Sequence, residues 1–415
     1  MGEWGYTGTM KVALVHDYLT EYGGAERVLE AIHELWPNAP VFTSIYDNTS
    51  ALHSAEVFDE KWDIRPSRIS ELPLAGKLAK TFTFFMPLVF ENMDLREYDV
   101  VISDGTIWSK GVLTTPEQLH IHYCHTPPRW LCGYPGETDR RRLWYLQPIL
   151  KPLDNWLRIW DFESAQRPDF IVANSKTVAR RIKKFWRREA GVIYPPVSMC
   201  QGDTDAEENP TGLSVNPSGW ARPPASSLAG EVGRGIGGSG SYFLVVSRLS
   251  AYKNVHLAIE TCNKLNLPLV IVGTGREERR LRAMAGKNVK FMNFVKDSEL
   301  SKLYKDCRAL IFPTSDEDFG IVPVEAMAHG KSVIALRSGG VTETVIEGKT
   351  GVFFDQPTVE SLVEVLRDFG VGDFDSNACK EQAKKFSKER FQQQFKSFVE
   401  EKWQEFKKSS IIKAS

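Results

Sequence analysis

Apolar residues follow two rhythms along this chain. Short runs rich in Val, Ile and Phe alternate with stretches whose apolar positions recur every three or four residues. That is the pattern of parallel strands joined by crossover helices. In the first half, KVALVHDYL, APVFTSIY, YDVVISDG, HIHYCHT, DFIVANS and GVIYPPV read as strands or strand ends. Between the first two, GAERVLEAIHELW carries Ala25, Val28, Leu29, Ile32, Leu35 and Trp36 on one face, which predicts a helix packed on a sheet. The rhythm restarts with YFLVVSRLS, LPLVIVGTG, VKFMNFV, ALIFPT, SVIAL and TGVFF. Near the end, FSKERFQQQFKSFVEEKWQEF sets Phe391, Phe395, Phe398 and Phe406 on one helical face and predicts a long helix packing across both domains.

Between Gln201 and Gly240 the periodicity vanishes into Gly, Ser, Pro and acidic residues, as in a flexible insertion at a domain junction. The expected organisation is an α/β domain over 10–200, a linker over 201–240, a second α/β domain over 241–385 and a returning helix over 386–410. A length of 415 residues suits two such domains better than one core. With 52 basic and 53 acidic residues, net charge −1, the chain has no global attraction for nucleic acid, so any anion must be held locally. No run of roughly 18 apolar residues predicts a membrane span. The opening MGEWGYTGTM lacks the layout of a secretory signal, and Tyr6 stands where a myristoylation signal carries Ser or Thr. The expected location is cytoplasmic. Six scattered cysteines without a C-x-x-C pair read as reduced thiols, neither a disulfide scaffold nor a zinc ribbon.

Two nucleotide fingerprints fail. EGKTG has the tail of a Walker loop, but Glu343 occupies the position of its first glycine. GRGIGGSGS precedes a strand, whereas a dinucleotide fingerprint follows one. Other anion seats remain. Gly23 and Gly24 stand directly ahead of a helix, where free amides and the helix dipole favour negative charge; a plain turn would use the same residues. Arg248 and Lys253 in SRLSAYKN follow the first strand of the second half and can clamp a diphosphate, or stand as solvated cations. Gly273 and Gly275 in VGTGREE end the next strand, where backbone can approach a ligand.

The stretch SDEDFGIVPVEAMAHG places Glu317 and Glu325 eight positions apart. Pro323 suits the first turn of a helix and Gly330 its end, which puts Glu325 in the first turn and Glu317 in the preceding loop. A carboxylate there competes with phosphate for the amides but suits a vicinal diol. Glu325 is therefore expected on a ribose and Glu317 on a second polyhydroxylated group, with the amides of Phe319, Gly320, Ile321 and Val322 open to an oxygen. A favourable charge near a helix N-terminus is the simpler account of Glu325 taken alone.

EDFGIVPVEAMAHGKSVIALRSGGVTETVIEGKTGVFF resembles the signature region, E-x7-E, of family-4 retaining glycosyltransferases of the GT-B fold. SRLSAYKN, VGTGREE and NFVKDSELSKLYKDCRALIFPTSDEDFG fit the same family in order. HDYLTEYGGAERVL, PLVFENMDLREYDVVISDGTIWSKGV, HYCHTPPRWL, DFIVANSKTVARRI and VIYPPV resemble its O-antigen and exopolysaccharide mannosyltransferase branch. The resemblance implies two Rossmann-like doubly wound domains facing across a cleft, with the C-terminal helix crossing back. It implies that Glu317 touches the donor sugar, Glu325 the ribose, and Arg248 and Lys253 the diphosphate, helped by Gly23 and Gly24. It matches His125 to a histidine facing the donor sugar. The co-substrate implied is a nucleoside diphosphate sugar, with GDP-mannose favoured, and no cofactor. Front-face substitution with retention is the implied mechanism.

No metal is expected. Alternation on a strand puts His120 and His122, but not His125, on one face. The D-x-D pairs at Asp203–Asp205 and Asp316–Asp318 fall in the insertion and across E-x7-E. The acceptor is read as a glycan or a lipid-linked glycan. Gly76 to Phe90 pairs lysines with Phe, Met and Leu and could rest on the inner face of a membrane, or be a core helix. Arg140 to Arg142 with Trp144, Trp156 and Trp160 could serve anionic or sugar surfaces, or be aromatic core. The rival functions are a sugar-nucleotide epimerase of similar architecture, a non-catalytic sugar-nucleotide-binding protein and a lipid-surface scaffold that would need Gly76 to Phe90 but not the E-x7-E pair.

Overall fold

The computed structural model describes residues 10–20, 22–47, 62–71, 84–134, 147–197, 242–293, 295–370 and 374–414. The expected insertion at 201–240, and the parts of the basic and aromatic segments at 76–83 and 140–144, lie outside them.

Two wholly parallel sheets form the framework. The first holds β1 (Val12–His16), β2 (Val41–Thr43), β3 (Ile64–Pro66), β4 (Val100–Gly105), β5 (Leu119–Cys124), β6 (Phe170–Ala173) and β7 (Gly191–Val192), in the order β3-β2-β1-β4-β5-β6-β7. The second holds β8 (Phe243–Val246), β9 (Leu269–Val272), β10 (Val289–Met292), β11 (Ala309–Phe312), β12 (Val333–Leu336) and β13 (Gly351–Phe354), in the order β10-β9-β8-β11-β12-β13. Each apolar run named above holds all or most of one of these strands. The edge strand β3 has no such run: Ile64-Arg65-Pro66 is short, partly exposed and ends in proline, so it carries no strand rhythm.

Helices cover both faces of each sheet. In the first unit they are α1 (Gly24–His33), α2 (Met86–Glu91), α3 (Gln147–Ser164) and α4 (Lys176–Phe185). In the second they are α5 (Val255–Leu265), α6 (Glu278–Met284), α7 (Asp297–Asp306), α8 (Ile321–Ala328), α9 (Val341–Thr344), α10 (Val359–Asp368) and α11 (Ser376–Lys384), with α12 (Lys388–Ala414) closing the chain. Leu244 and Val246 of β8 enter one core layer while Phe243 and Val245 enter the other, so the strand is apolar throughout. The long helix differs from expectation. Phe391, Phe395 and Val399 of α12 pack into the first core beside Val12 and Leu14. The second core is reached instead by α11 and the link before α12, through Cys379, Ala383 and Phe386. The aromatic stripe thus belongs to one domain, and the crossing occurs at Phe386–Ser387, where Val197 pairs with Ser387.

Strand order reverses between β1 and β4 in one sheet and between β8 and β11 in the other. Loops leaving the carboxyl ends of these neighbours diverge to opposite faces and open a crevice, the usual ligand position in an open α/β sheet.

Candidate active site at the two switch points

The second sheet supplies one wall. Arg248 lies just beyond β8, and Lys253 closes a 3-10 turn over Ala251–Lys253. Asn254, in the left-handed region at φ 50°, ends that turn and ties it to the β11 exit through Pro313 O at 3.1 Å and Ser315 Oγ at 2.7 Å. Lys253 Nζ reaches Glu317 Oε2 at 2.5 Å. Burial disfavours both charges, but each holds the other ionised: the Glu317 carboxyl is lowered, chiefly by Lys253 with help from Arg129 and Arg248, and the Lys253 ammonium is raised by Glu317. The glycines after β9 serve this wall from behind. A Cβ at Gly273, where φ is +133°, would lie 2.0 Å from Ser247 O, and one at Gly275 would lie 2.3 Å from Leu249 O. The room they leave is filled by the strand exit that carries Arg248.

Helix α8 starts at Ile321 after Gly320, whose φ is +91°. It therefore begins two residues ahead of Pro323 and puts Glu325 in the second turn, not the first. Gly330 takes the expected place beyond the C-cap, with φ +74°. Phe319 turns its ring into the core against Tyr194 and Phe386, so the Phe319–Val322 segment can offer a ligand only backbone at that residue. The first amides of α8 have no partners within the helix. Glu325 is buried, with Oε1 3.2 Å from Arg27 Nη1 and Oε2 accepting from Tyr304 Oη at 3.0 Å. Burial raises its carboxyl, and Arg27 and Tyr304 oppose that rise.

The first sheet supplies the facing wall. Gly23 caps α1, and its N–H donates to Glu26 Oε2 at 2.8 Å. Gly24 abuts the other domain: a Cβ there would lie 3.0 Å from Ile321 Cδ1. His125 directly follows β5 and its N–H donates to Gly105 O at 3.1 Å. Its Nε2 lies 2.8 Å from Asp104 Oδ1, while Asp104 Oδ2 is 2.9 Å from His16 Nδ1. His16 and Asp104 are register partners at the ends of β1 and β4, which is why two distant sequence positions meet here.

The walls are joined by contacts that motif spacing did not reveal. Arg129 donates to Asp316 O at 2.8 Å and lies over the Tyr252 ring, beside Lys253. Arg181 donates to Asp316 O at 2.9 Å and grips the Asp318 carboxylate, which Arg129 also approaches at 3.3 Å. Ser175 Oγ donates to Asp318 O at 2.6 Å. Asp316 itself has φ 54°, rare for a residue with a side chain. Glu343 accepts from Lys176 N and Thr177 N, both at 2.8 Å, and so caps α4 from the opposite domain. The other two histidines of HIHYCH, His120 and His122, are turned away from His125. His120 Nε2 and His122 Nδ1 both meet Ser103 Oγ on one buried face, as alternation predicts. Among the described residues no group of three or more His, Cys, Asp or Glu is arranged to hold a metal.

Comparison with known proteins matches both halves. Residues 22–199 fit Glycosyltransferase Family 4, and residues 234–386 fit Glycosyl transferases group 1. The Alpha-1,3/1,6-mannosyltransferase ALG2 of Debaryomyces hansenii is 26% identical over 396 residues, 81% of this chain and 76% of its own. The O-antigen chain mannosyltransferase C of Escherichia coli is 28% identical over 158 residues, 36% of this chain and 43% of its own. Anabaena Alr3699/HepE, solved in complex with UDP, has a TM-score of 0.63 at 16% identity over 94% of this chain and 100% of its own, a likeness of fold.

Proposed function

This chain belongs to the glycosyltransferases of GT-B fold, a Family 4 domain joined to a group 1 domain, and from that premise we propose that it transfers mannose from GDP-mannose, with retention, to a glycan or lipid-linked glycan. The observation that carries the reading is the meeting of the two switch points: Arg248, Lys253 and Glu317 leave one and the Gly23–Gly24 loop the other, with His125 beside it at the end of β5. Mannose is favoured because the relatives are named mannosyltransferases.

In this reading the diphosphate lies against Arg248, Lys253 and the amides ahead of α8. As the sugar C1–O bond breaks, negative charge grows on the leaving phosphate, and fixed cations in a water-poor cleft stabilise it. The acceptor hydroxyl forms the new C1–O bond on the same face and gives its proton to the departing phosphate oxygen. Glu317, kept ionised by Lys253, accepts from sugar hydroxyls. Glu325 takes the ribose diol by exchanging its contact with Arg27, which frees that guanidinium toward the phosphates.

A lipid-linked acceptor is favoured by one surface. Phe84, Phe85 and Leu88, around the start of α2, and Trp156, Ile159 and Phe162 of α3 are exposed. The Phe84 and Trp156 rings lie 5.2 Å apart and join the two groups, and exposed Lys151 and Arg158 share α3. Aromatic side chains next to cations suit a bilayer interface, on the cytoplasmic side in this reading. Among the described residues no helix is long and apolar enough to cross a membrane.

Calorimetric titration with GDP-mannose, UDP-glucose and other sugar nucleotides, beside Glu325→Ala, tests the donor site. Binding of GDP-mannose, weakened in the variant, supports it. Binding of a different donor alone overturns the choice of mannose, and binding of none overturns the site.

A further inference from the structure

We infer that Arg181 is a positioning residue: reaching across from the first domain, it fixes the Asp316–Asp318 loop and with it Glu317, so that the group meeting the donor sugar is set by both domains together. The inference rests on the proposed role of Glu317 at the donor sugar.

The second domain holds Glu317 itself. Glu317 pairs with Gly339 in a parallel bridge, its carbonyl accepts from the Gly340 N–H at 2.7 Å, and a Cβ at Gly339 would lie 2.3 Å from that oxygen. The Asp316 N–H donates to Ser338 Oγ at 2.9 Å, and the Glu317 carboxylate meets Lys253. The first domain holds the residues on either side. Asp316 O accepts from Arg129 at 2.8 Å and from Arg181 at 2.9 Å. The Asp318 carboxylate pairs with Arg181 and lies 3.3 Å from Arg129, while Asp318 O accepts from Ser175 Oγ at 2.6 Å. Burial pushes the Asp318 carboxyl up, and Arg129 and Arg181 oppose that rise.

Arg181 is itself held in place. It is 5% exposed, donates to Thr126 Oγ1 at 3.2 Å and lies over the Tyr134 ring, 4.5 Å from its centroid. Thr126 directly follows His125, so one guanidinium ties the segment that carries His125 to the loop that carries Glu317. A planar fork can bond a carbonyl and a carboxylate together, a geometry that a single ammonium does not reproduce. These contacts fall on a backbone that needs them. Asp316 has φ 54°, and a residue with a side chain keeps such a conformation only where its surroundings determine it. A clasp that merely fastened the domains could close anywhere on their boundary, as Glu343 does at the first amides of α4. Arg129, Arg181 and Ser175 instead all land on the two residues that flank Glu317.

Amide exchange followed by mass spectrometry, on the full-length protein without ligand, reads the loop, and calorimetry with GDP and GDP-mannose reads its consequence. In Arg181→Met, exchange across the Asp316–Asp318 loop should speed at least about tenfold while β11 and β12 stay as in wild type. Arg181→Lys, which keeps the charge without the fork, should move in the same direction by less, and it carries the test if the Met variant does not fold. Glu343→Ala cuts a different contact between the domains and should leave the loop unchanged. The ratio of GDP-mannose to GDP affinity should fall at least about fivefold in Arg181→Met and in Glu317→Gln, and no further in the double variant than in Glu317→Gln, because Arg181 acts through Glu317. Unchanged loop exchange in the Arg181 variants, or an equal change in Glu343→Ala, overturns the inference whether or not GDP-mannose is the donor. An affinity ratio that falls in Glu317→Gln but not in Arg181→Met overturns it too. Faster loop exchange in the Arg181 variants, beside a Glu317→Gln that leaves the ratio unchanged, overturns the donor-sugar reading of Glu317 instead and leaves the positioning of the loop standing.

Discussion

Lys253→Ala separates the chemistry of the cleft from its architecture. The ammonium and the Glu317 carboxylate meet at 2.5 Å with side chains only 12% and 19% exposed. Breaking a fully buried ion pair costs about 3–5 kcal/mol, because one charge is left without its partner. Arg129 and Arg248 still act on Glu317, and the pair is not wholly dry, so about 1–3 kcal/mol is the expected loss of stability. For a domain of this size that is a fall in Tm of roughly 3–10 °C. The catalytic loss should be larger. A preorganised group that stabilises transition-state charge is worth about 2.7–4 kcal/mol, or a factor of about 10² to 10³ in turnover. The assay is GDP release at saturating GDP-mannose, well below the variant's Tm, beside a thermal scan of the same sample. Lys253→Met, which keeps the aliphatic stem, should lose the same turnover. If turnover falls by less than about tenfold while Tm drops as expected, Lys253 only holds Glu317 in place and the charge-stabilising role is wrong.

Other expectations follow from the same geometry. Arg181→Met removes a grip on Asp318 and Asp316 O from the opposite domain, so small-angle scattering should report a larger radius of gyration than wild type; an unchanged radius would mean Ser175, Arg129 and Glu343 suffice to hold the domains. Glu343→Ala removes the acceptor of the first two α4 amides, Lys176 N and Thr177 N, while Ser175 Oγ keeps its cap on Val178 N, and should cost about 0.5–1.5 kcal/mol by denaturant titration. The burial of His16 between Glu26 and Asp104 also predicts a pH dependence. His16, raised from 6.5 to about 10, stabilises the fold fully below about 6.5 and loses that contribution as pH rises through 10. Asp104, lowered from 3.8 to about 2, stabilises it above about 3.8 and loses that contribution as pH falls through 2. Wild-type Tm should therefore fall more steeply than that of His16→Asn between pH 6.5 and 9.5; parallel curves would contradict the raised imidazolium. Replacing Phe85, Leu88 and Trp156 together with Ser should abolish co-sedimentation with anionic lipid vesicles, and vesicle binding that survives would remove this patch as the membrane contact.

What could be read from sequence divides by the range of the interaction. Strand rhythm is local, and every sheet strand with an apolar run was legible; β3, half polar with a proline, was not. Lys253 and Glu317 were legible because each lies in a short loop after a buried strand, where polar residues stand out against their surroundings. His16 and Asp104 stand in equally readable strands, but their pairing depends on β1 and β4 being neighbours, and order in a sheet is set by connections far apart in the chain. The signal they did carry was a titratable residue near a strand's carboxyl end on each side of the reversal. Arg27 and Arg181 carried none, since each reads as an ordinary cation on an amphipathic helix until the second domain brings Glu325 or Asp318 against it. The position of Glu325 failed for a more local reason. Proline is favoured at the first helical position, but here the left-handed Gly320 starts α8 two residues earlier, and that shift buries the carboxylate against Tyr304. The same shift changes the proposed role: a free acceptor at a helix mouth would meet a ribose directly, whereas in the proposed reading Glu325 exchanges Arg27 for it.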